Sequence, residues 1–222
     1  MGISLVFSPI WFFGYDSILD LISFLITILI GFYSYRIYKL TGKKSYFFLY
    51  LAFLLLSIAL VVKSFANLSL YFDLLHKIGV KDTRLFGYQM AALGLFGYVL
   101  LTLLGYIILI ALTLKLKGKR IISLLFFLVI LTILLAKNSF MFFHLISFAL
   151  LLLYVTPYFY DNYSKVKNIK ALLVFLCFFF LSFGHLFLSL VFYSNQFYVL
   201  GIILQLAGFL MLLVNLILVF KK

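Results

Sequence analysis

The sequence predicts an all-α, polytopic integral membrane protein: a seven-transmembrane-helix bundle with the N-terminus outside and the C-terminus inside. Three observations carry that prediction. The 222 residues are 67% hydrophobic and 10% charged, whereas a soluble globule carries roughly 25% charged residues to cover its surface. The apolar stretches approach or exceed the roughly 20 residues that a helix needs to cross hydrocarbon. The loops between them alternate in charge, and the loops rich in Lys and Arg belong on the cytoplasmic side.

The segment ahead of the first span, with Pro9, Trp11, Phe12, Phe13 and Tyr15, has the composition of an aromatic cap at the outer interface. It has no positive charge in its first fourteen residues, which argues against a cleaved signal peptide. The first helix is expected over about 17–38 and the second over about 45–67, joined by a basic inner turn at Thr41 and Gly42. A longer outer connection follows, holding Asp73, His76, Lys77, Lys81, Asp82 and Arg84; its apolar front half, Leu70 to Leu75, reads as a short surface helix.

The third helix is expected over about 86–114, longer than the hydrocarbon is thick. The fourth, about 121–136, is short but necessary for the charge alternation. The fifth covers about 139–158, with Pro157 loosening its last turn. The sixth covers about 171–193 and the seventh about 197–220. These spans use most of the chain, which therefore forms a single domain over residues 1–222.

Thirteen of the 18 basic residues sit in four places: Arg36, Lys39, Lys43 and Lys44; Lys115, Lys117, Lys119 and Arg120; Lys165, Lys167 and Lys170; and Lys221 with Lys222. All are on the expected inner face. The net charge of +13 is thus read as topology and attraction to anionic lipid, at about 1 kcal/mol per surface cation, rather than as a nucleic-acid surface.

Catalytic classes lack their residues. The sequence has no Glu, no Gly-x-Ser-x-Gly and no phosphate-binding glycine loop. A lone Cys177 excludes an intramolecular disulfide. A retinal Schiff base needs a Lys inside the last helix, where there is none before Lys221. Neither of the span histidines has an HxxxH partner, so no metal centre or cofactor is called for, and no enzymatic activity is expected.

Polar residues fall in stripes. Asp20, Ser23, Thr27, Gly31 and Ser34 share one face of the first helix. Gly201, Gln205, Gly208 and Asn215 mark the last, and Gly94, Gly97 and Gly105 the third. Small residues allow close helix approach and polar ones bond across the contact. Asp20, Lys63, Asn67, His144, His185 and Gln205 all count to the outer half of the bundle. Each charge inside a span costs about 2.5–3.5 kcal/mol on insertion scales, so such residues usually face the interior and mark function. These six are the candidate ligand-binding residues, expected to converge on one cavity open or openable to the outside, with the third and fourth helices as scaffold. Lys63 has two readings, snorkelling to the outer headgroups or pairing with Asp20.

The seven spans and the glycine-rich last helix, Gly201-Ile202-Ile203-Leu204-Gln205-Leu206-Ala207-Gly208-Phe209, resemble the seven-helix sensor modules found at the N-termini of some microbial signalling proteins. The resemblance implies a receptor-like or sensory protein of the cell membrane. The chain ends at Lys222 without the output domain of that family, so the output is expected to be a separate protein partner at the inner face. The alternative is a structural or haem/quinone-type electron-transfer subunit of a membrane complex, in which His144 and His185 hold a haem or hold helices together.

Overall fold

The computed structural model describes residues 8–12, 14–75, 83–116, 118–135 and 139–220, and the side chains of 71–88 are outside the description. Among the described residues, seven α-helical segments make the fold: α1 (Tyr15–Thr41), α2 (Lys44–Leu75), α3 (Thr83–Thr113), α4 (Lys119–Leu135), α5 (Ser139–Val166), α6 (Ile169–Ser189) and α7 (Gln196–Phe220). Six are long and apolar enough to cross a membrane, and α4 supplies a shorter apolar stretch at Ser123–Thr132. This is the architecture of a multi-pass helical bundle.

The helix ends follow local chemistry. Asp16, in the first turn of α1, accepts from the backbone N–H groups of Gly14 (3.1 Å) and Ser17 (2.8 Å), occupying donors that have no partner inside the helix. Gly14 stands at φ 94° and Gly42, which ends α1, at φ 65°, conformations that a side chain disfavours. The Gly42 N–H closes on the Tyr38 carbonyl at 2.8 Å. Between α5 and α6, Lys167 turns at φ 49° and Asn168 caps α6 by accepting from the Lys170 N–H.

Six helices close into a ring in the order α1, α2, α3, α5, α6, α7, with α7 returning to α1; α4 packs outside against α3 and α5. The central cluster takes Ile26 and Ile30 from α1, Phe53 and Leu56 from α2, Leu109 from α3, Leu151 from α5, Phe178 from α6 and Phe209 from α7, among others. None of the described α4 side chains is buried.

In α1 the buried set includes Asp20, Ser23, Thr27, Gly31 and Ser34, the stripe expected to face inward. Ile18, Ile22, Leu25, Leu29 and Phe32 on the other side are exposed. Such a helix is polar inside and apolar outside, which suits lipid and not water as the surrounding solvent. Thr27 and Ser34 return their hydroxyls to their own helix, on the Ser23 and Ile30 carbonyls at 2.9 Å. They let helices approach rather than bonding across.

The glycines have the same function. A Cβ on Gly94 would fall 2.8 Å from the Ala66 Cβ, and one on Gly105 would fall 2.9 Å from Leu56 Cγ. Gly184 and Gly201 bring α6 and α7 together so that a Cβ on either would lie about 3 Å from the other's carbonyl oxygen (3.0 and 2.9 Å).

Two expected boundaries are corrected. Residues 70–75 do not form a separate surface helix; α2 runs without a break to Leu75, and the remaining expected connection at 76–82 lies outside the described residues. Pro157 does not end the fifth helix near 158. Residues Leu151–Val155 take a π-helical turn in which the Thr156 N–H reaches the Leu151 carbonyl, and the helix continues to Val166. Proline has no N–H and its ring crowds the carbonyl four residues back; widening the preceding turn relieves both and lets the helix go on.

Of the N-terminal cap, Ile10–Phe12 forms one short 3₁₀ turn. Phe12 is buried with Leu188, Val191, Tyr198 and Ile202, so it covers the ends of α6 and α7, while Trp11 is exposed.

Candidate functional site

Among the described residues, the buried charges lie at the end of the ring where α1, α5 and α7 begin and α2 and α6 finish. The first group surrounds Asp16. Besides its two backbone donors, Asp16 Oδ2 accepts from Tyr198 OH of α7 at 3.1 Å and from Asn67 Nδ2 of α2 at 3.4 Å. Ser64 of α2 donates to the Ser17 carbonyl at 3.1 Å. A carboxylate with four donors stays stable although 1% exposed, because the hydrogen bonds replace its lost hydration.

One turn deeper, Lys63 Nζ of α2 meets Asp20 Oδ1 of α1 at 2.9 Å, with both side chains buried. The pairing reading of Lys63 therefore holds over the snorkelling one. The ammonium also lies 5.5 Å from the centre of the Tyr98 ring on α3, an attractive arrangement for a cation over an aromatic face. Asp20 Oδ2 has no hydrogen-bond partner among the described residues.

The third group crosses from α3 to α5. Tyr106 OH is 2.7 Å from His185 Nε2, and His185 Nδ1 is 2.8 Å from His144 Nδ1. The two imidazoles are tilted by 36° with centres 5.0 Å apart, and both are essentially inaccessible. Phe140 and Phe143 enclose His144, their ring centres 4.4 and 4.6 Å from it. His144 Nε2 and the nearby Ser147 Oγ are buried and have no partner among the described residues.

The six candidate residues thus all point into the bundle, but they are distributed over separate contacts rather than around one chamber. Asn67 joins Asp16, Lys63 joins Asp20, and His144 joins His185. Gln205 alone borders a small cavity of about 10 Å³, shared with Tyr98, Thr102, Tyr106, Leu56, Leu60 and Phe209. The expectation that α3 is scaffold is also corrected: Tyr98, Thr102 and Tyr106 stand at four-residue steps on its inward face, Tyr98 lying against the Lys63 ammonium and Tyr106 against the His185 imidazole. That spacing was a readable signal. The glycines of α3 drew attention to close helix packing instead. Asp16 precedes Asp20 by four residues and so shares its helix face, and Tyr198 carried no pattern to single it out. Asn215, a residue expected to bond between helices, has its Oδ1 unpartnered among the described residues.

Lower in the ring, Thr156 of the π turn's far side lies 3.3 Å from Ser182 Oγ, and Ser182 donates to the Phe178 carbonyl at 2.7 Å. Phe159 stacks on Phe178 at 4.7 Å. The opposite end of the bundle presents Arg36, Lys39, Lys43, Lys44, Lys115, Arg120, Lys165 and Lys167, all exposed.

Compared with known proteins, the chain has no significant match to a family model, a curated protein or a solved structure.

Proposed function

We propose that this chain is a non-catalytic, receptor-like protein of the cell membrane, crossing it seven times with the N-terminus outside. In this reading the Asp16 end receives a small or lipidic ligand, and the basic end passes a helix shift to a separate protein partner beside anionic lipid. The observation that carries it is the buried Asp20–Lys63 contact. Charges inside a span are costly and are usually retained where they act, and a buried pair is seldom the most stable way to fill such a volume. α4 supports the seventh crossing, since it leads from the basic end of α3 to the end of α5 that holds His144.

The ligand class follows from the buried polar atoms that have no partner among the described residues. Asp20 Oδ2, His144 Nε2 and Ser147 Oγ can bond a polar head group, and the surrounding helices accept an apolar tail. The cavity beside Gln205 has about 10 Å³, far below the roughly 300 Å³ of a typical ligand pocket. Binding therefore requires helices to separate, and the energy a ligand gains at the polar end becomes displacement elsewhere. A π turn, of the kind often found at functional sites, lies in α5 between His144 and the basic end and provides a deformable joint.

The haem alternative fits poorly. An imidazole nitrogen binds a metal at about 2 Å, so a metal held between two of them needs nearly 4 Å, against the 2.8 Å separating the facing Nδ1 atoms.

The test combines binding and movement. Spin labels at Lys43→Cys and Lys167→Cys, in a Cys177→Ser background, would report the spacing of the basic end in lipid discs during titration with fractionated membrane lipids and small amphiphiles. The reading expects a fraction that changes this spacing in the parent protein and not in His144→Ala. A spacing unchanged by every fraction would overturn it.

A further inference from the structure

Three polar side chains of α3 meet one from α7 around the small cavity. Tyr98, Thr102 and Tyr106 are each 3% exposed, and Gln205 is 7% exposed. Gln205 reaches the cavity because Gly184 leaves room for its stem; a Cβ on Gly184 would lie 2.6 Å from Gln205 Cγ. The Thr102 hydroxyl makes no hydrogen bond of full geometry with the described residues. The volume of about 10 Å³ is about that of one water centre, and a buried water needs two to four polar partners. Four polar side chains around a dry void would be costly.

We propose that this cavity is a binding site for a single water molecule, and that the water fixes the direction of the hydrogen-bond chain from Tyr106 through His185 to His144. A phenol is a better donor than acceptor and an imidazole nitrogen is a good acceptor, so Tyr106 O–H donates to His185 Nε2 across the short 2.7 Å contact. That leaves the Tyr106 oxygen to accept from the water. A neutral imidazole has one N–H. With Nε2 accepting, His185 carries its hydrogen on Nδ1 and donates to His144 Nδ1 at 2.8 Å. His144 must then carry its hydrogen on Nε2, the buried atom without a partner among the described residues. Other ionisable groups around the chain are Tyr98 on α3, Cys177 on α6 and Lys63 on α2.

The consequence is chemical: His144 Nε2 is a hydrogen-bond donor inside the span, so whatever meets it is an acceptor such as a carbonyl, ether or carboxylate oxygen. The inference stands on the cavity and the Tyr106 chain alone. It adds to the receptor-like reading by naming the complementary group, and its test uses the protein without ligand, so either can fail separately.

The test is solid-state NMR of the protein in lipid, with ¹⁵N in His and Gln. Magnetisation transferred from water should reach the Gln205 side-chain amide in the unmodified protein. The imidazole nitrogens should appear protonated at His185 Nδ1 and His144 Nε2 and bare at the other two positions. Thr102→Leu, which fills the cavity, should abolish the water transfer and shift both imidazoles towards mixed tautomers; Thr102→Val, which retains most of the volume, should preserve the tautomers. Absence of water transfer at Gln205 in the unmodified protein would overturn the site. The opposite tautomers would overturn the direction.

Discussion

Tyr198 and Asp16 are 182 positions apart in sequence and 3.1 Å apart in space. Their contact ties the beginning of α7 to the beginning of α1 and thereby closes the ring. A neutral donor on a charged acceptor contributes about 1.5–3 kcal/mol. Tyr198→Phe should therefore lower the unfolding free energy in mixed micelles by about that amount, while Tyr193→Phe, at an exposed position, should leave it unchanged. Equal values for the two variants would contradict the ring closure.

The Lys63 and Asp20 pair gives a second expectation, best measured as a double-mutant cycle. Lys63→Met leaves a buried carboxylate and should cost about 3–5 kcal/mol, as should Asp20→Leu, whereas the double variant should recover most of the loss. Additive losses would mean that the two side chains are stabilised independently.

Glycine substitutions should separate close backbone contact from simple burial. Gly184→Ala forces a Cβ to 3.0 Å from the Gly201 carbonyl oxygen and 2.6 Å from Gln205 Cγ, and should destabilise by about 1–3 kcal/mol. At Gly31 the nearest atoms to a new Cβ are 3.7–3.8 Å away, so Gly31→Ala should be neutral or gain up to about 1 kcal/mol in helix propensity. Gly31→Leu exceeds that space and should lose stability. Unfolding curves for the three variants decide the order.

Orientation is testable at two exposed positions in opposite turns. With Cys177 replaced by Ser, a membrane-impermeant thiol reagent should label Asn195→Cys on intact cells and Lys43→Cys only after permeabilisation. The reversed pattern would invert the assignment.

What could be read in the sequence depended on how much of each signal lies within one helix. The α1 stripe was legible because every member is fixed by one helical period and the bilayer inverts the usual polarity. The Asp20–Lys63 and His144–His185 encounters were partly legible, since counting from helix ends gives depth but not rotation. Tyr106 and Tyr198 were obscured by abundance: with 16 Tyr in the chain, an aromatic ring that serves as a hydrogen-bond partner looks the same as one at the membrane interface. Pro157 was misleading because proline predicts where a regular helix fails and not how a neighbouring turn can widen to absorb it.

That widened turn means α5 is not one rigid rod with one phase. Between Leu151 and Thr156 the backbone takes an additional residue, so the lower segment is rotated by about one residue's angle, 100°, relative to an unbroken helix. His144 and Ser147 take their heading from the upper segment; Thr156 beside Ser182 and Phe159 on Phe178 take theirs from the lower. Removing a single residue from Leu151–Val155 would keep the histidine pair in place while swinging Thr156 and Phe159 away from α6. The two halves of one helix can thus be re-aimed separately by a change in residue number, without altering any side chain at either site.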